Sequence, residues 1–341
     1  ADKHSRITYR FEYALLKYSQ TMTQKAASEL LHISKSTLSD LLHRANTRIR
    51  EGHRIRRLRT IGIDEISYAK GRKYATVVYD LDRSCVVWIG RGKGRETIDL
   101  SACGHAQAGP FFTDVLSPYQ RDQIRWACCD MSEAYLPVRA GARTQTGMGA
   151  IQTHCPNATM VLDRFHIVKA LNVAVDEVRK EQWRIATDDQ RKMLKGLRWL
   201  LYRHSSTRSR KDNRTLKALD KGNHRIYRAS RLKDEFEPFW EYRAPWAAQR
   251  FLKSWTTSAL RSRLEPMCKF ARMVRKHLSG ILAFVDSRLT NAISEGTNRI
   301  IKIVKNRASG FRSLDAFSDM IFLTVGDVDI PAQIPARFRT L

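Results

Sequence analysis

The chain has no C-x-x-C pair, and its cysteines (85, 103, 128, 129, 155 and 268) leave the stretch before Cys85 without a thiol. A structural zinc site needs four closely spaced thiolates or imidazoles. No zinc is therefore expected, and the cysteines read as buried free thiols. No apolar run approaches the roughly 20 residues of a membrane-spanning helix. The opening ADKHSRITYR also lacks the apolar core of a signal peptide. A soluble cytoplasmic protein is expected; the missing initiator Met leaves room for something removed upstream. No serine or tyrosine motif marks a covalent nucleophile. Carboxylates are the scarce charge: 34 Asp and Glu face 61 Lys and Arg, a net charge of +27. Basic residues spread over several segments call for a polyanion, DNA or RNA. A membrane surface fits less well, because no basic amphipathic helix stands apart from a core.

What is present is enough for several cores: 341 residues, 43% of them apolar. Residues 1–47 read as short helices. In QKAASELLHISKSTLSDLLHR (24–44), Ala27 supplies the small residue of a helix-turn-helix, Leu30, Leu31 and Ile33 its buried contacts, and Ser34 the cap of a second helix burying Leu38, Leu41 and Leu42. The start of that helix offers Lys35, Ser36, Thr37 and Ser39, with Arg44 later, side chains that reach phosphates and base edges. His32 stands where this turn often has Gly. Residues 48–59 (RIREGHRIRRLR) form a basic linker whose Arg56 and Arg57 can lie against phosphates.

At residue 60 the pattern turns to strands: 60–67, 74–82 and 84–92, with turns at Lys70-Gly71 and Asp82-Arg83. A helix is expected within 96–116, then a strand at 124–130, a helix from about Glu133, a strand at 158–163 and a helix over 165–183. Three meandering strands followed by strand–helix–strand–helix is the order of a ribonuclease-H-like mixed sheet, an α/β fold. The core so defined covers 60–180, an all-α insertion 181–289, a closing helical part 290–325 and an extended tail 326–341. Within the insertion RHSSTRSRKDNR (203–214) reads as a loop.

In the stretch NAISEGTNRIIKIVKNRASGF (291–311), Ile293, Ile300 and Val304 form an apolar stripe, while Glu295, Asn298 and Lys302 share a second face. The helix should start near Thr290 or Asn291 and stop before Ser309-Gly310. Asp64 sits near the end of the first strand and Asp130 at the end of the fourth, neighbours in such a sheet, so the two carboxylates can meet at one end. Glu295 can supply a third from a helix packed across it. Three hard oxygen ligands suit two Mg²⁺ ions, with Mn²⁺ as a substitute, and hence phosphoryl transfer. Asp163 could face the same site or cap a helix; His166 could orient a water or a phosphate. Asn298 and Lys302 read as an amide supporting the carboxylates and a phosphate contact, and Lys305, Arg307 and Arg312 as DNA contacts.

GIDEISYAKGRKYATVVYDLD (62–82), CDMSEAY (129–135), VLDRFHIVKALN (161–172) and SEGTNRIIKIVKNRASGF (294–311) resemble, in order and spacing, transposases of the ISL3 family within the DDE, ribonuclease-H-like superfamily. The resemblance spans about residues 20–325. It implies Asp64, Asp130 and Glu295 as the catalytic, metal-binding triad. It also implies double-stranded DNA as partner (terminal inverted repeats, flanking and target DNA), a homodimer or larger assembly, no membrane, and a bacterial cytoplasmic enzyme that meets the nucleoid when acting. Members usually carry a Cys-rich zinc module ahead of the helix-turn-helix; this sequence has no cysteine there, so recognition of the element ends could differ.

Overall fold

The structure, a computed structural model, describes residues 7–52, 55, 57–69, 71, 73–92, 111–129, 150–289, 292–311 and 313–326. Two compact units are present: Ala1–Ala158 with Asn291–Leu341, and Thr159–Thr290.

The first unit starts with three helices. α1 (Tyr9–Thr21) is capped by Thr8, whose hydroxyl accepts the Phe11 N–H, and α2 (Gln24–Leu30) by Thr23 in the same way. α3 (Lys35–Gly52) begins where the Ser34 hydroxyl accepts the Thr37 N–H. Between α2 and α3, His32 takes a positive φ of 52°, the left-handed conformation that favours Gly. The turn is therefore made without its usual residue. Ala27, Leu38 and Leu42 are buried as expected, but Leu30 is 51% exposed; α2 turns Ala27 and Leu31 inward at i, i+4 and leaves Leu30 beside them. α3 also runs into the stretch read as linker. Ile49 is buried and Arg48 is bonded to the buried Glu12.

β1 (Thr60–Ala69), β2 (Lys73–Asp80) and β3 (Cys85–Arg91) form an antiparallel meander. The second turn is tied by Asp80, whose Oδ1 accepts the N–H groups of Asp82 and Arg83 at 2.9 and 3.1 Å. Burial raises the Asp80 carboxyl above the usual range, against the pull of those bonds. Phe111–Val115 makes one π-helical turn in the region where a helix was expected, the rest of which lies outside the described residues. After α4 (Pro118–Gln123), β4 (Trp126–Cys129) pairs parallel with β1, Gly62 opposite Cys128. α5 (Ala150–His154) follows. The helix expected from about Glu133 begins outside the described residues. On one sheet face Trp88, Phe111, Phe112 and His154 make successive ring contacts.

The second unit opens with β5 (Thr159–Leu162). Its helices are α6 (Arg164–Ile185), α7 (Asp188–Leu194), α8 (Leu197–Tyr202), α9 (Arg210–Gly222), α10 (His224–Phe236), α11 (Pro245–Arg261), α12 (Glu265–Lys276) and α13 (Leu278–Ser287). Their core centres on Phe236, ringed by Phe239, Trp240, Trp255 and Phe270 at 4.8–6.0 Å. Gly280 lets α13 lie on β5: a Cβ there would meet Leu162 Cγ at 2.9 Å. The loop read at 203–214 is only partly a loop. Ser209 and Asp212 form a capping box and start α9 at Arg210, a signal masked by the run of basic residues.

The chain then returns to the first unit with α14 (Ala292–Arg307) and α15 (Leu314–Val325). Both pack on the sheet face that carries Ala75, Val77, Tyr79 and Ile89, through Ile301, Leu314, Phe317 and Ile321. On their other side Val304, Met320 and Leu323 join Leu15, Leu16, Leu38 and Leu42 in one core with α1–α3. The chain thus has a mixed α/β architecture with a helix-turn-helix at its N-terminal end. No helix among the described residues is long and apolar enough to cross a membrane.

Candidate active site

α14 is the element that brings the site together. It ends in a left-handed turn, Ser309 at φ 54° and Gly310 at φ 102°, where the Gly310 N–H reaches back to the Lys305 carbonyl at 3.1 Å. Its buried face is Ser294, Thr297, Ile301 and Val304. That corrects the expected stripe: Ile300 is 41% exposed and Ile293 only half-buried. The buried residues recur at spacings of three and four, but two are small hydroxyl residues that an apolar pattern skips. Burying Ile301 and Val304 contributes about 2 kcal/mol each.

Next to that face stands Asn298. Its side-chain amide donates to Asp64 Oδ2 on β1 at 2.7 Å and accepts at Oδ1 from the Tyr79 hydroxyl of β2 at 2.5 Å. An ionised carboxylate only accepts, so the NH₂ must face Asp64; the carbonyl then faces Tyr79, which has to donate. Tyr79 is buried, and burial first, then the Asp64 charge, holds its phenol well above the usual range. The bond to Asn298 pulls the other way and does not prevail. The phenol thus stays a neutral donor. Asp64 Oδ1 accepts the Glu65 N–H at 2.7 Å. One carboxylate is thereby oriented through both oxygens, from two strands and a helix. Asp64 lies opposite Val77 on the same face as Tyr79; Glu65, next along, has the other parity.

Glu295 is one turn before Asn298 on α14, its side chain 51% exposed and paired with Arg299 at 3.2 Å. Such an exposed pair is weakly held. Lys302 is exposed. Lys305 donates to the Ser67 carbonyl of β1 at 2.6 Å. Arg307 donates to the Gln20 and Ser19 carbonyls at the end of α1, and burial lowers its guanidinium below the usual range. Asp163 and His166 belong to the second unit. Asp163 is buried and caps α6 by accepting the Phe165 N–H at 3.1 Å, with His166 Nε2 3.7 Å from its Oδ2. Lys35, Ser36, Thr37 and Arg44 are exposed on α3, Ser39 half-buried, and Arg57 is exposed with a φ of 40°. Asp130, Arg56 and Arg312 lie outside the described residues.

Tyr79 was not singled out in the sequence. YATVVYD reads simply as a buried strand, and only the pairing of Gly62 with Tyr79 brings the phenol beside the Asp64 row. The donor set fits hard divalent cations: Asp64 is pre-oriented, and Glu295 is held only by a replaceable surface pair. Among the described residues, no three His, Cys, Asp or Glu form a metal-binding group, and Asp130 is not among those residues. The described cysteines are all buried free thiols, with Cys155 pushed up to about 12 by burial.

A family model described as a transposase, of the ISL3 type, matches residues 61–321, and one for the helix-turn-helix domain of transposase family ISL3 matches residues 1–46. The chain belongs to the ISL3 family of transposases. The transposase for insertion sequence element IS1001 of Bordetella parapertussis is 30% identical over 92% of this chain and 73% of its own length. The transposase for insertion sequence element IS1557 of Mycobacterium tuberculosis is 26% identical over 95% of this chain and likewise 73% of its own. The bonded group of Asp64, Asn298 and Tyr79 therefore lies within the matched transposase region, and α1, α2 and α3 as far as Asn46 within the matched helix-turn-helix region.

Proposed function

We propose that this DNA transposase has a ribonuclease-H-like catalytic core in which Asp64, Asp130 and Glu295 hold two Mg²⁺ ions. It binds the terminal inverted repeats of an insertion sequence, cleaves DNA at the element ends and transfers the strands to a target. The observation that carries this is the Asn298–Asp64 bond, which ties the helix of Glu295 to the strand of Asp64. The sequence spacing supports Asp130. Gly62 faces Cys128, and two residues beyond each stand Asp64 and Asp130. When bound, the cations would neutralise the phosphodiester and acidify water. Asn298 keeps the Asp64 carboxylate aimed, and Lys302, one turn on from Asn298, is free to meet a phosphate. Hydrolysis forms a P–O bond from water as the P–O3′ bond breaks, leaving a 5′-phosphate and a 3′-hydroxyl. That hydroxyl then attacks a target phosphodiester, forming one P–O bond as another breaks, so no covalent enzyme intermediate and no outside energy source are needed.

Lys35, Ser36, Thr37, Ser39 and Arg44 would read the element end, with Arg56, Arg57, Lys305 and Arg312 along the backbone. Arg307 serves the joint to α1, and Asp163 the start of α6. Joining two ends calls for a homodimer or larger assembly, acting on the nucleoid in a bacterial cytoplasm. The test is cleavage and joining of terminal-repeat DNA with Mg²⁺, for the parent and for Asp64→Ala, Asp130→Ala and Glu295→Ala. Each substitution is expected to abolish both steps while DNA binding persists. Near-parental cleavage by any of them would remove that residue from the triad. Cleavage without joining would make the protein a nuclease, and binding alone a regulator.

A further inference from the structure

We propose that a cleft between the start of α3 and the joint of α14 with α15 holds a DNA strand, and that α14 measures the span from that strand to the cutting site. This rests on the transposase reading above and adds a surface and a distance to it. The cleft has a volume of about 810 Å³. Lys25, Lys35 and Ser39 line one wall, and Arg307, Ser309 and Ser313 the other. Its lining residues include three cations and no carboxylate, which suits an anion and disfavours a metal or a basic peptide. Hydroxyl groups on both walls can donate to phosphate oxygens, while Met22 and Met320 supply apolar surface for a sugar or base edge. The Lys25–Glu29 pair is long at 3.8 Å and exposed, so Lys25 can turn to a phosphate at little cost.

The two walls are one body. Besides the shared apolar core, His43 Nδ1 meets Asp319 Oδ2 at 2.8 Å and Gln20 Nε2 donates to the Leu323 carbonyl at 2.7 Å. Arg307 adds its bonds to the carbonyls of α1. The reading helix is thus fastened to the catalytic helix by packing and does not depend on the basic linker for its position. From Arg307 back to Glu295, α14 spans roughly 18 Å at about 1.5 Å per residue. That is the rise of about five base pairs at roughly 3.4 Å each.

The test uses the full chain carrying Asp64→Asn, which should bind without cutting, and a DNA fragment ending in the terminal repeat. Phosphate-ethylation interference and the salt dependence of binding are compared with and without Lys25→Ala plus Lys35→Ala. The double change is expected to remove interference at a few adjacent phosphates about five nucleotides from the cut made by the active parent. It should also lower the slope of log K against log salt by about 2. An unchanged interference pattern and slope would overturn the cleft while leaving the transposase reading intact. Affected phosphates ten or more nucleotides from the cut would overturn the measuring role of α14. A parent that binds no DNA at all would overturn both readings together.

Discussion

In the helical unit, Asp176 lies between Arg179 at 2.7 Å and Lys180 at 2.9 Å, Glu237 takes the buried Lys233 at 3.0 Å, and Asp234 takes Arg208 at 2.6 Å. On β1 of the other unit, Asp64 instead accepts from an amide and a main-chain N–H. Both arrangements orient a carboxylate. The first does so with cations that also offset its charge. Burial pushes Asp176 and Glu237 up, but for Asp176 the bonds and charges of Lys180 and Arg179, and for Glu237 those of Ser205 and Lys233, outweigh it and hold both below the usual carboxylate range. Acids so paired are finished as structure. An acid whose oxygens are aimed by an amide and a main-chain N–H is held in the fixed orientation that a metal site requires.

The sharpest way to break that contrast is to replace the amide that aims Asp64 with a cation. Asn298→Lys should pair the two side chains as Lys233 pairs with Glu237, and cut Mg²⁺-dependent cleavage by about 10³-fold or more, several kcal/mol of lost charge stabilisation. The melting temperature should hold or rise. Retained cleavage would mean that Asp64 is not a metal ligand. The reverse break is Lys233→Met, which strands Glu237 without its buried partner. A loss of about 3 kcal/mol is expected, read by urea titration with tryptophan fluorescence, to which the buried Trp240 and Trp255 report. DNA cleavage by the folded fraction should be unaffected.

Acid should act on the two regions differently. The folded-state carboxyls of Asp176 and Glu237 sit below their ordinary values. The stability they contribute is therefore complete above the ordinary range near pH 4 and is lost as pH falls through the lowered values. Asp80, whose carboxyl is raised by burial, has the opposite sign and gains relative stability on protonation. Titration from pH 6 to pH 2 should thus melt the helical unit ahead of the strand meander. Hydrogen exchange resolved by segment measures the order, and simultaneous loss would mean that the ion pairs are not what holds the helices.

How much of this could be read beforehand follows from the kind of signal involved. Strands β1–β3, the helix-turn-helix and the helical stripes announce themselves because apolar periodicity and caps are local. Asn298 was legible as a helix face shared with Glu295, since that needs only a spacing of three. Tyr79 was not, because its role depends on which β2 residue lies beside the Asp64 row, a matter of register. The bonds of Arg307 were not legible for the same reason: its partners, the carbonyls of Ser19 and Gln20, are nearly 290 positions away along the chain. Ser294 and Thr297 were missed because burial of small hydroxyl residues leaves no apolar trace.

Tyr79 gives the finest test of the comparison, because it touches Asp64 only through Asn298. Tyr79→Phe keeps the ring and its packing and removes one donor, so the net loss is about 1 kcal/mol. The amide of Asn298 is then free to turn, and Asp64 loses part of its aim. If the Asn298 amide, steadied by Tyr79, holds Asp64 ready for a cation, cleavage by Tyr79→Phe should need about fivefold more Mg²⁺ for half-maximal rate, with a nearly unchanged rate at saturation. The melting temperature should move little, since no packing is lost. The pH profile below pH 9 should keep its shape, because the phenol, held well above its usual range, does not titrate there. A lowered saturating rate with unchanged Mg²⁺ dependence would place Tyr79 in the reaction itself. No change in either would mean that the aim of Asp64 does not depend on the Tyr79 hydroxyl.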